Sequence, residues 1–114
     1  MSVTIYHNPR CSKSRQTLAL IEAKGISPEV VLYLDTPPSE AALTDILKQL
    51  GKSPEELMRK GEQEYKDHIK GQELSEQQQI AKMIAYPKMI ERPIVVSNGR
   101  ARVGRPPESV LEIL

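Results

Sequence analysis

The chain has no tryptophan, no phenylalanine and a single cysteine, and its charges nearly cancel. Each shortage excludes something. With four tyrosines as the only aromatics, the core has to be built from Leu, Ile, Val and Met. One cysteine cannot close an internal disulfide. Sixteen basic residues against fifteen acidic ones leave a formal charge of +1. That is too even a balance for bulk binding to nucleic acid or an anionic membrane, which needs a clustered basic excess. No apolar run approaches the ~20 residues of a membrane span, and the first residues lack a signal peptide's hydrophobic stretch. The expected compartment is therefore the cytoplasm. There is no His/Cys/Asp/Glu cluster with metal-ligand spacing, no Walker phosphate loop and no dinucleotide glycine fingerprint. Repeats and low-complexity linkers are missing too. What remains is 114 residues of ordinary soluble composition, enough for one domain over 1–114 that buries roughly two-thirds of its unfolded surface.

Against that background the stretch Thr4-Ile5-Tyr6-His7-Asn8-Pro9-Arg10-Cys11-Ser12-Lys13-Ser14-Arg15 stands out. A β-prone run, Val3 to His7, stops at Asn8-Pro9 and delivers the only cysteine to the first turn of a predicted helix. Amides at a helix start have no intrahelical partner and favour negative charge. A thiolate placed there is stabilised, and free cysteine's pKa of ~8.5 can fall to roughly 3.5–7.5. Arg10, Lys13 and Arg15 add positive charge, and His7 is a candidate cation that lowers the cysteine pKa further. Ser14 occupies the place where a redox Cys-x-x-Cys site keeps its second cysteine. It cannot form a disulfide, but its hydroxyl can donate a hydrogen bond to the Cys11 thiolate. Any reduction begun at Cys11 must then finish with an outside thiol, and glutathione followed by glutaredoxin are the natural cytosolic candidates.

The rest of the chain reads as follows. Ser12 to about Lys24 is a helix burying Leu18, Leu20 and Ile21 and stopped by Gly25. Glu29 to Leu34 is a second strand, parallel to the first across a βαβ crossover. Ser39 caps a helix with Leu43, Ile46, Leu47 and Leu50 on one face, closed by Gly51. Ser53-Pro54-Glu55-Glu56 opens another. Residues 61 to 79 are polar, with a helix around Glu62 to Ile69. Ser75 caps a helix carrying Ile80, Met83 and Ile84. Pro93 to Ser97 is a strand, Asn98-Gly99 a hairpin turn, and Arg100 to Val103 its antiparallel partner. A last helix from Pro106 carries Val110, Leu111 and Leu114.

A βαβ half and a ββα half separated by a helical insertion of about 39–90 is the α/β layout of the thioredoxin fold, a four-stranded mixed sheet flanked by helices. In that fold a cis proline precedes the third strand and faces the thiol, which predicts a cis Arg92-Pro93 peptide. The motifs Tyr6-His7-Asn8-Pro9-x-Cys11-x-x-Ser14-Arg15, Tyr33-Leu34-x-Thr36-Pro37-Pro38, Leu57-Met58-Arg59-Lys60, Arg92-Pro93-Ile94-Val95-Val96 and Arg105-Pro106 resemble the glutathione- and glutaredoxin-dependent arsenate reductases over nearly the whole chain. The resemblance implies that Cys11 attacks arsenate and that Arg59, Arg92 and Arg105 hold the oxyanion. Guanidinium forks suit tetrahedral oxyanions because they pair in bidentate fashion.

It also implies no bound cofactor, with glutathione as co-substrate and glutaredoxin as partner, and a monomer is expected. Two alternatives share the fold: a glutathione-dependent thiol reductase acting on another substrate, and a redox regulator that binds RNA polymerase. The phosphatase-like arsenate reductase scaffold needs Cys-x5-Arg, and the sixth residue after Cys11 is Thr17. That scaffold is excluded.

Overall fold

The computed structural model describes residues 2–114. They divide into two compact units, one made of the residues up to Thr36 together with Arg92–Leu114, the other of Pro37–Glu91.

The first unit holds the sheet. Its elements are β1 (Val3–Tyr6), α1 (Ser12–Ala23), β2 (Glu29–Val31), β3 (Ile94–Ser97) and β4 (Arg100–Val103). The four strands lie in the order β2-β1-β3-β4. β1 pairs parallel with β2, in the register Ile5 to Val30, and antiparallel with β3, where Ile5 faces Val95. β3 and β4 form the hairpin read at Asn98-Gly99, and both turn residues take positive φ, 52° and 74°. That pair of left-handed conformations is the type I′ turn whose twist matches the strands it joins. Val3, Ile5, Ile21, Val95, Val110 and Ile113 make the apolar core. The Arg92-Pro93 peptide is cis as expected, and so is Arg105-Pro106.

Three expectations are corrected here. The second strand ends at Val31 rather than Leu34, because the Leu32 carbonyl accepts from the amides of both Asp35 and Thr36 and turns the chain. On α1 the fully buried residues are Ser14, Thr17 and Ile21, while Leu18 and Leu20 are only half-buried. The last helix is a 3₁₀ helix, Pro107–Ile113, which buries Pro107, Val110 and Ile113 and leaves Leu111 exposed. Three residues per turn put positions 107, 110 and 113 on one line, so the apolar period is three and not 3.6.

The small residues on α1 serve a close approach. A Cβ on Gly104 would lie 2.5 Å from Thr17 Oγ1 and 2.8 Å from Pro93 Cγ. The Gly104 amide meanwhile donates to the Pro93 carbonyl at 2.9 Å. Gly104→Ala is therefore expected to cost about 1–3 kcal/mol by overpacking, read as a lowered midpoint in urea unfolding. An unchanged midpoint would mean that α1 and this loop can move apart freely.

The second unit is helical: α2 (Glu40–Leu50), α3 (Gln63–His68) and α4 (Glu76–Ala85), with 3₁₀ turns at Glu55–Leu57 and Pro87–Met89. The expected caps are in place. Ser39 accepts from the Ala42 amide, and Ser75 and Gln78 form a reciprocal capping box. Ser53 and Glu56 bond to each other's amides in the same way, yet only a single 3₁₀ turn follows instead of the expected helix. α2 ends on Gly51 in the left-handed conformation, and Leu43, Ile46, Leu47, Ile80 and Met83 are buried.

Candidate active site

The loop carrying the cysteine is pinned at every residue. The His7 amide donates to the Val31 carbonyl at 2.8 Å, so the chain leaves the sheet from a fixed point. Asn8 then organises the turn. Its side-chain oxygen accepts from the Arg10 amide at 3.0 Å, and its carbonyl accepts from the Cys11 amide at 3.0 Å. Its own amide donates to Ser14 Oγ at 3.0 Å. Arg15 Nη1 donates to the Pro9 carbonyl at 2.9 Å. Asn8 and Arg15 were not read from the sequence as loop anchors. An Asn two residues ahead of the next turn amide is nonetheless an Asx-turn signal that could have shown the first of them.

Cys11 takes the N-cap position of α1 with extended backbone (φ −95°, ψ 124°), and no side chain caps the helix there. The first-turn amides therefore lack a capping oxygen and serve the sulfur instead. Partial burial pushes the Cys11 thiol up. The Ser14 amide, the Arg92 charge, the Lys13 amide and a hydrogen bond from Arg92 outweigh it and set the pKa below the ordinary thiol value. Arg105 Nη2 lies 3.7 Å from Sγ, and Arg105 Nε donates to the Arg92 carbonyl at 2.8 Å. Arg92 Nε is buried without a hydrogen-bond partner among the described residues. Two guanidiniums and the Lys13 and Ser14 amides around the sulfur make a concentrated positive pocket, and an unpaired buried donor favours an arriving acceptor.

His7 and Ser14 act differently from their sequence reading. His7 is buried, 6 % exposed, and its Nδ1 lies 2.6 Å from Ser14 Oγ. Burial, and after it the nearby Arg15 charge, push the His7 pKa below its usual value. Both effects disfavour the charged ring and so work against its serving as the cation expected beside the thiolate. The Ser14 hydroxyl is engaged by His7 and by the Asn8 amide, and it is the Ser14 backbone amide that reaches the sulfur. Ser14→Ala is therefore expected to cost about 1–3 kcal/mol of stability, since it strands a buried amide and a buried ring nitrogen. It should leave the pH dependence of Cys11 alkylation nearly unchanged. The reverse pattern, a less acidic thiol in an equally stable protein, would place the hydroxyl on the sulfur.

The structure thus brings Cys11, His7, Ser14, Arg92 and Arg105 together in the first unit. Arg59 belongs to the second unit. There its amide donates to the Met89 carbonyl at 2.6 Å, and its guanidinium pairs with Glu62 and, at 3.9 Å, with Glu91. Among the described residues no group of three or more His, Cys, Asp or Glu could hold a metal ion, and no helix is long and apolar enough to cross a membrane.

The ArsC family model matches residues 6–113. The chain is 58% identical over 114 residues to the uncharacterized protein YfgD of Escherichia coli K12, covering 98% of this chain and 96% of the other. It is 47% identical over 116 aligned positions, 100% of both chains, to a Haemophilus influenzae protein named arsenate reductase. A solved structure described as an arsenate reductase from Vibrio cholerae superposes with a TM-score of 0.95 at 55% identity, covering 100% of this chain and 98% of that one.

Proposed function

The chain belongs to the ArsC family, and on that premise we propose that it reduces arsenate to arsenite through an adduct on Cys11, with glutathione and glutaredoxin as reductants. The observation that carries the reading is the acidified Cys11 sulfur with Arg92 and Arg105 beside it. Supporting it are the relatives of similar length that are named arsenate reductase.

In the first step the Cys11 thiolate attacks the arsenic of bound arsenate. An S–As bond forms and an oxygen leaves as water after protonation. Arg92 and Arg105 pair with the remaining oxygens, and the Lys13 and Ser14 amides that had held the thiolate stay directed at the reacting region. Glutathione then displaces a second oxygen as water. A glutaredoxin thiolate attacks the glutathione sulfur to form a mixed disulfide, the glutathione S–As bond breaks, and the pair from that bond stays on arsenic and reduces it from arsenic(V) to arsenic(III). Water finally releases arsenite from Cys11. Arsenate and two thiols give arsenite, one disulfide and one water, so the electrons balance. Ser14 in place of a resolving cysteine is what makes both thiols external.

The test is NADPH consumption in a system of glutathione, glutathione reductase and glutaredoxin, with and without arsenate. Consumption that requires arsenate and both thiol components supports the reading. Turnover of a disulfide substrate with none on arsenate would transfer the same thiol chemistry to another substrate.

A further inference from the structure

We infer that a pocket lined by Pro9, Arg10, Leu32, Leu34 and Asp35 is the subsite for the γ-glutamyl end of glutathione, an inference that rests on the function proposed above. The cavity measures about 290 Å³ and lies entirely within the first unit. That is near the lower end of the ~300–1,000 Å³ usual for small-molecule sites, so it suits one end of a tripeptide better than the whole.

Two walls make it, and both are fixed. One is the 7–10 loop that presents the thiol, tied down by the Asn8 bonds and by Arg15 on the Pro9 carbonyl. The other is the turn after β2, closed by the Asp35 and Thr36 amides on the Leu32 carbonyl. The His7 amide on the Val31 carbonyl stitches the two together. A pocket with walls tied in this way exists before its ligand arrives, which spares the ligand the cost of ordering it.

Its chemistry is selective. Leu32 is 42% exposed, a large apolar side chain left open to solvent, and it lines this cavity. With Pro9 and Leu34 it offers a surface for a methylene stem. Arg10 and Asp35 are exposed, and neither forms an ion pair with another described residue. One unpaired cation and one unpaired anion on an apolar floor complement an α-amino-acid group: its carboxylate to Arg10 and its ammonium to Asp35. Glutathione carries that group at its γ-glutamyl end. The reach is suitable, because Arg10 immediately precedes Cys11. In glutathione the α-amino-acid group is joined to the cysteine through the two side-chain methylenes of the γ-linkage, which is the stem that Pro9, Leu32 and Leu34 would face.

Asp35→Asn and Arg10→Gln separate this subsite from the arsenate site. Each should raise the KM for glutathione about three- to tenfold, and Asp35→Asn should leave the KM for arsenate unchanged. N-acetylglutathione, which has no ammonium, should not distinguish Asp35→Asn from the parent protein. An unaltered glutathione KM in both variants, with arsenate turnover intact, overturns the subsite and leaves the proposed function standing. Should the parent protein show no arsenate turnover, titration of the full chain with S-methylglutathione decides by NMR. Amide shifts at residues 9–10 and 32–35 that Asp35→Asn abolishes support the subsite, and their absence overturns it.

Discussion

Arg92→Ala is expected to raise the arsenate concentration at half-maximal rate by about ten- to a hundredfold. A hydrogen bond to a charged group contributes about 1.5–3 kcal/mol, and each 1.4 kcal/mol is a factor of ten. Two effects combine in this residue. Its guanidinium has a buried Nε with no partner among the described residues, ready for an oxyanion, and its charge and hydrogen bond hold the Cys11 thiol below its ordinary pKa. They can be told apart by pH. The loss due to a less acidic thiol should recover at alkaline pH, where the sulfur ionises regardless. The loss due to oxyanion binding should persist. Stability should change by less than about 1 kcal/mol, because the Arg92 carbonyl that receives Arg105 Nε belongs to the backbone and remains. Arsenate kinetics identical to the parent at every pH would remove Arg92 from the anion site.

Cys11→Ser is expected to abolish arsenate-dependent NADPH consumption, a loss on the order of 10³-fold or more, since a serine hydroxyl is scarcely ionised near neutrality and does not replace a thiolate nucleophile. The same substitution should not weaken the fold. Cys11 holds the N-cap of α1 without making a capping bond, whereas serine is among the preferred residues there and a good cap contributes about 0.5–2 kcal/mol. The variant is thus expected to be inactive and equally or more stable, and denaturant unfolding would show it.

The gap between the two proteins should also depend on pH. The folded thiol has the lower pKa, so between the folded and the unfolded value the unfolded chain holds more protons. Wild-type stability relative to Cys11→Ser therefore rises as pH rises through that window and is lost as pH falls through the folded pKa. A pH-independent difference would mean that the surroundings do not favour the charged sulfur.

The site was legible in the sequence where chemistry is local. A strand, an Asn-Pro break and a lone cysteine before a helical pattern locate Cys11 at a helix start without tertiary information. Asn98-Gly99 and the Ser39 and Ser75 caps were legible for the same reason, since each states its backbone conformation within four residues. Where distant contacts decide, reading failed. In 106–114 the apolar residues fit a period of 3.6 through Val110, Leu111 and Leu114, and equally a period of three through Pro107, Val110 and Ile113. Packing chose the second. Ser14 reads as a site residue and Thr17 carries no packing signal in the sequence, yet both are fully buried, and Thr17 lies at the close approach of Gly104. The charge of His7 could not be read from its neighbours in sequence either. Burial is the leading cause of its lowered pKa, and burial belongs to the fold. Asp35 reads as the break after the strand predicted over Glu29 to Leu34, and only the turn on the Leu32 carbonyl brings it to the wall of a pocket beside the thiol loop.

The proposed chemistry needs a sulfur whose charged form its surroundings favour, next to a place for a tetrahedral anion. Its most direct measure is the rate of Cys11 alkylation by iodoacetamide from pH 4 to pH 10, with and without saturating arsenate. The half-maximal rate should fall below the pH at which free cysteine reacts, and arsenate should slow the reaction in a saturable way that Arg92→Ala weakens. A profile matching free cysteine, with no protection by arsenate, would contradict the account.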